Sequence, residues 1–165
     1  MKKIITFFAI VGLFTLQSCS TNDDGPYVDN DTISEVFEVT TSFNSNNNFS
    51  SLVTFNPPIF ASDVVLVYHL YDIVNGQDIW RLMPQTYYLS DGRALDFNFD
   101  FSKLSVNLFL DANSLATIPS SWTQNQTFRI VIIPANFSTA VNKNNIDAVM
   151  SALKVNDTDI QKIKL

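Results

Sequence analysis

Leu95-Asp96-Phe97-Asn98-Phe99-Asp100-Phe101 alternates apolar and polar residues without a break. Successive side chains of a β-strand point to opposite faces, so as a strand this run buries one face and wets the other. Wound as a helix it would scatter its phenyl rings around the whole circumference. The alternation returns in Leu104, Val106, Leu108 and Leu110, and again across residues 34–43 in Phe37, Val39, Thr41 and Phe43. A chain that repeats it is built from antiparallel strands whose apolar faces meet.

The rest of the chain is punctuated in the same way. Asn44 to Asn48 is a polar turn, and residues 49–56 carry Ser51, Val53 and Phe55 in register until Pro57-Pro58 ends the run. Val64 to Val74 is apolar on both faces, as a central strand covered on each side would be. Asn75-Gly76 is a two-residue hairpin signal. It leads into residues 79–89, where Pro84 marks an edge strand or a bulge. Asp91-Gly92 is a second hairpin turn, and Phe128 to Ile133 is a strand closed by Pro134. Near the C-terminus the period changes. Ile146, Val149, Met150 and Leu153 fall at i, i+3, i+4 and i+7, one face of a helix, with Asn144 or Asn145 as its cap and Lys154 in its last turn. Residues 160–165 fit a short final strand. The expected fold is all-β: an immunoglobulin-like antiparallel β-sandwich of about seven strands with a short C-terminal α-helix, in one domain over residues 33–165. The Cys…Trp…Cys signature of antibody domains is missing, so this assignment rests on strand count and alternation.

The N-terminus is of a different kind. Met1-Lys2-Lys3 is cationic, and Ile4 to Leu16 carries no charge. That run is shorter than the roughly 20 apolar residues a membrane-spanning helix needs, and it fits the apolar region of a signal peptide. Leu16-Gln17-Ser18-Cys19 then resembles the lipobox of bacterial lipoproteins, with Gln17 where a small residue is more usual. The resemblance implies cleavage after residue 18 and a diacylglycerol on Cys19, the one cysteine of the chain, whose sulfur is thereby consumed. Each buried acyl methylene contributes about 0.8 kcal/mol, so several chains anchor a protein firmly. Residues 1–18 therefore read as a signal peptide and 19–32 as a lipidated tether. Within the tether, Asp23 and Asp24 resemble the surface-export signal of lipoproteins from the Bacteroidota, although the same composition also suits a solvated linker. Asp31-Thr32-Ile33 resembles the O-glycosylation triplet of that phylum. The expected location is the outer membrane, facing the cell exterior; its periplasmic face is the alternative.

The 165 residues less the 18 of the leader leave 147, enough for one domain that buries about 70% of its unfolded surface without disulfides. Removing the leader's two lysines takes the formal charge from −6 to −8. A balance that acidic argues against nucleic acid and anionic lipid headgroups as partners.

Val64 to Ile73, Trp80-Arg81-Leu82-Met83-Pro84 and Phe128-Arg129-Ile130-Val131-Ile132-Ile133-Pro134 resemble a family of small lipoproteins from Flavobacteriia and related Bacteroidota. Some members carry a collagen-like Gly-Pro stretch after the cysteine, of which Gly25-Pro26 is the counterpart. The resemblance implies location and supplies no activity and no site residues.

The residues give no catalytic constellation. His69 is the one histidine, set in the most apolar strand without a nucleophile or fellow ligands nearby in sequence, and reads as a structural histidine bonded within a sheet. Gly-x-Ser-x-Gly is missing, and the four glycines form neither a dinucleotide nor a P-loop motif, so no nucleotide, nicotinamide or flavin cofactor is expected. Asp96 and Asp100 share one face of a strand, as the two carboxylates of a glycosidase share a site, yet they are also its solvated side. Asp29-Asn30-Asp31 lacks the Gly and Glu of an EF-hand, so no metal is expected.

Aromatic residues are the remaining candidates. Tyr87-Tyr88 sends neighbouring rings to opposite faces of a strand, and Trp80, Tyr71 and Trp122 are candidates for a platform. Trp80 reads as core. Trp122, in the loop from Pro119 to Asn125, stays open between core and ligand contact. Trp122 and Tyr88 are thus the candidate ligand contacts. The expectation for function is a non-catalytic, lipid-anchored interaction module with a protein partner in the outer membrane; the alternative is a module that binds carbohydrate.

Overall fold

A computed structural model describes residues 35–137 and 139–165. The signal peptide, Cys19, Asp23, Asp24 and the 29–33 segment lie outside the described residues.

Among the described residues nine strands form two sheets. They are β1 (Val36–Thr41), β2 (Ser50–Thr54), β3 (Val64–Val74), β4 (Gln77–Leu82), β5 (Gln85–Tyr88), β6 (Ala94–Phe101), β7 (Ser105–Asp111), β8 (Gln126–Ile133) and β9 (Gln161–Lys164). One sheet has the order β4-β3-β8-β1-β9, the other β2-β7-β6-β5. Pairing is antiparallel except between β1 and β9. From β2 to β8 the chain crosses between sheets as an immunoglobulin-type sandwich does, with β2 beside β7 and β3 beside β8. The two terminal strands then complete the larger sheet.

All seven expected strands are present. The count rises to nine because residues 160–165 do form a strand and because residues 79–89 are two strands. At Met83-Pro84 the chain leaves the larger sheet as β4 and joins the smaller one as β5. Proline has no N–H to give to a ladder, so a break at that position is where a strand can change sheets.

The alternation is explained by the layers. Phe37, Val39, Val65, Val67, Phe128, Ile130 and Ile132 from one sheet meet Val53, Leu95, Phe97, Val106, Leu108 and Leu110 from the other. Each side chain of this kind contributes roughly 1.5–3 kcal/mol when fully buried. The outer face of the larger sheet is covered too. Val36, Leu66, Tyr68, Val131 and Ile133 pack under Ile146, Val149 and Met150 of the helix α1 (Ile146–Leu153). Two-sided cover is why β3 and β8 show unbroken apolar runs rather than alternation. Asn145 caps α1, its side chain accepting from the Ala148 N–H at 3.1 Å. Lys154, expected in the last turn, instead follows it as the C-cap with φ +57°.

The sandwich has two distinct ends. Glu35, the start of β3 and the end of β8 lie at one, together with the 55–63 loop and the Ser102–Leu104 turn: Phe55 N–H donates to the Leu104 carbonyl at 2.8 Å, and Ile59 N–H to the Lys103 carbonyl at 2.9 Å. The end of β1, the β3–β4 hairpin tip and the start of β8 lie at the other.

Candidate functional site

At this second end, away from Glu35, the core opens into a cleft of about 260 Å³ lined by His69, Tyr71, Asp72, Ser121, Trp122 and Gln126. Its walls come from two segments more than 45 residues apart, β3 and the loop before β8. A register shift between Leu70 and Asp72 against β4 leaves Tyr71 as the extra residue of a bulge. Bulges re-aim side chains next to a site. Tyr71 consequently stacks flat on Tyr87 of the opposite sheet, centroids 5.3 Å apart and planes 5° from parallel. Trp122 closes the group at 5.0 Å from Tyr87 and 6.3 Å from Tyr71. The Arg81 guanidinium sits 3.4 Å over the Tyr71 ring. No carboxylate among the described residues lies within ion-pair distance of it. A cation over an exposed aromatic face gains about 0.5–1 kcal/mol and holds the ring in place.

His69 forms the floor. It is 1% exposed and lies between Phe97 at 4.4 Å and Phe128 at 5.1 Å. Its Nε2 is 2.9 Å from Gln126 Oε1, and its Nδ1 is 3.0 Å from Tyr87 Oη. The tautomer follows from Gln126, whose Nε2 donates to the Ser121 and Gln124 carbonyls at 3.1 and 2.8 Å. That leaves Oε1 as an acceptor, so His69 donates from Nε2 and accepts from Tyr87 at Nδ1. Burial pushes the imidazole down to about 4, with a smaller push from Arg81, against the Gln126 bond. Burial likewise pushes the Tyr87 phenol up to about 12. Both rings are neutral near pH 7, and both His69 nitrogens are engaged. The floor is therefore a fixed polar anchor rather than a group poised to exchange protons.

The expected contacts separate. Trp122 is half-buried and belongs to the cleft. Tyr88 is 77% exposed on the outer face of β5, opposite in direction to the buried Tyr87, so it does not share a surface with Trp122. Trp80 faces the helix side, under the Arg129 guanidinium at 4.5 Å. Arg129 there bonds Glu38 at 3.0 Å, and Asp157 lies 3.3 Å away. Asp96 and Asp100 both lie on the outer face of β6, opposite Asp111 and Asn107, and Asp96 accepts from Thr86 Oγ1. No group of three or more His, Cys, Asp or Glu side chains able to hold a metal occurs among the described residues. Gln126, Ser121 and Asp72 were not singled out by sequence. Nothing local marks them, because the cleft exists only once β3 and β8 pair.

No family model, no curated protein and no solved structure matches this chain.

Proposed function

We propose that the mature chain is a non-catalytic interaction module, held through a lipid on Cys19 in the outer membrane and facing the cell exterior. Its contact is the Tyr71–Trp122 cleft. The observation that carries this reading is the cleft's position: it opens at the end opposite Glu35, where the tether joins the domain. A module anchored from one end is free to engage a partner with the other. At about 260 Å³ the cleft falls below the 300–1,000 Å³ usual for small-molecule sites, so it suits one inserted side chain or one ring. A partner that offers such a group to two aromatic walls and a hydrogen-bonding rim gains most of its affinity from that single anchor.

Carbohydrate is the second reading. The Trp122 indole beside Asp72, Ser121 and Gln126 offers an apolar surface and hydrogen-bonding groups that match the C–H face and hydroxyls of a sugar ring.

Tagged wild-type protein and its Tyr71→Ala and Trp122→Ala variants, purified from native membranes in mild detergent, test the proposal. A near-stoichiometric protein retained by the wild type and lost from both variants supports the interaction reading. Recovery alone, with a glycan bound by the wild type and not the variants, supports the second. Loss of either ligand in Tyr88→Ala but not in the cleft variants moves the contact to the outer face of β5 and overturns the cleft assignment.

A further inference from the structure

The end of the sandwich next to Glu35 carries an apolar rim that the core does not use. Phe60 is 55% exposed, Leu104 53%, Phe101 45% and Val64 41%. These four come from three separate segments: the loop after β2, the β6–β7 turn and the start of β3. The backbone bonds from Phe55 to Leu104 and from Ile59 to Lys103 hold the first two segments together. The β3–β4 hairpin at the opposite end also exposes apolar residues, Ile73 at 58% and Val74 at 47%, but these belong to one hairpin, whereas the rim draws on three segments. Scattered apolar residues at a surface are ordinary, but two phenyl rings, a leucine and a valine gathered on one rim are not the usual way a soluble sandwich ends.

The chain enters the domain at this rim. Glu35 accepts from the Ile132 N–H at 2.9 Å, beside the start of β3. Cys19 lies 16 residues upstream of it, and a chain of that length spans at most roughly 55 Å. A tether of that reach leaves the domain free to turn, so an anchored domain stands on this end only if the rim's own side chains enter the bilayer, and the rim is the apolar surface beside the chain's point of entry. We propose that Phe60, Val64, Phe101 and Leu104 enter the interfacial layer of the membrane that holds the lipid, so that the domain stands on this end. The proposal rests on the lipoprotein reading of Cys19. Phenylalanine and leucine bury well at the boundary between headgroups and acyl chains, and the net negative charge of the chain favours a zwitterionic surface. Docking of this kind adds apolar burial to the acyl chains and fixes which end faces outward.

Cys19 is the one cysteine, and its lipidation leaves no free thiol, so a substituted cysteine can be labelled alone. Lipidated full-length Lys103→Cys and, at the opposite end, Gln77→Cys are each given a polarity-sensitive fluorophore in phosphatidylcholine vesicles. Bromine carried on the lipid is expected to quench the Lys103→Cys label severalfold more than the Gln77→Cys label. Adding Phe60→Ser and Leu104→Ser to the Lys103→Cys protein is expected to abolish that difference while the protein still floats with the vesicles. Equal quenching at both positions in protein that floats overturns the docking and leaves the anchor standing. A Lys103→Cys label shielded only at high protein concentration, without lipid quenching, assigns the rim to a second copy and also overturns it. Protein that carries no lipid on Cys19 and does not float overturns both.

Discussion

His69 and Tyr87 join the two sheets through one hydrogen bond, 3.0 Å from Nδ1 to Oη, made inside a cage of Phe97, Phe128 and Trp122. Many sandwiches of this topology fasten their sheets with a disulfide; this domain contains no cysteine, and a neutral imidazole serves in that place. The same pair is the floor of the cleft. Stability and the shape of the cleft therefore depend on one protonation state.

The depressed His69 value fixes a pH dependence. Unfolded, the imidazole takes up a proton below about 6.5; folded, it does so only near 4. The unfolded chain binds more protons in that window, so its contribution is fully present above pH 6.5 and is lost as pH falls toward 4. It amounts to about 3 kcal/mol. Guanidinium unfolding at pH 7.5 and pH 4 is expected to show a drop about that much larger in the wild type than in His69→Phe. Equal drops would place the histidine outside the core.

The tyrosines give the opposite limb. Tyr68, whose hydroxyl donates to the Lys143 carbonyl at 2.6 Å, and Tyr87 are both raised to about 12 by burial. Their folded values exceed the usual 10, so stability is lost as pH climbs from 10 through 12. Phenolate absorbance is expected to rise in at least two phases, with Tyr68 and Tyr87 in the late one. Removing the Tyr87 hydroxyl in Tyr87→Phe leaves His69 Nδ1 without a donor, at a cost of about 1–3 kcal/mol. Tyr88→Phe should change stability by less than about 0.5 kcal/mol.

The helix layer has its own test. Met150 packs on the outer face of the larger sheet with Ile146 and Val149, and Met150→Ala is expected to lower stability by about 2–5 kcal/mol. The outcome that would count against a packed third layer is an unchanged unfolding midpoint.

In the β3–β4 hairpin, Asn75 and Gly76 adopt φ +52° and +78°, and a Cβ added to Gly76 would meet nothing within 4 Å. Gly76→Ala should therefore cost only its backbone term, about 1–2 kcal/mol. A larger loss in thermal unfolding would point to a contact made by the hairpin tip.

What was legible in the sequence was local. The alternation at Leu95–Phe101, the hairpin at Asn75-Gly76, the helical spacing from Ile146 to Leu153 and the two-sided run at Val64 each follow from a few neighbouring residues. The β3 run is covered on both faces only from Val65 to His69; beyond Leu70 the strand extends past the core into the exposed hairpin. Which sheet each half of residues 79–89 joins depends on partners far along the chain, and Pro84 marks the break without naming them. The cleft was half visible. Tyr71 and Trp122 stood out as aromatics, whereas the bulge that turns Tyr71 inward is a register shift within the β3–β4 hairpin that no residue marks, and the Gln126 amide that fixes His69 arises from pairing over 57 residues.

The claim on which both ends of the domain depend is the lipid at Cys19. Intact mass and N-terminal fragmentation of the protein taken from its native membrane test it most directly. A chain that begins at Cys19 and carries a diacylglycerol on sulfur and an acyl chain on its amine is the predicted result. A chain that begins at Met1, or an unmodified Cys19, would contradict it and remove the basis for an inward rim and an outward cleft.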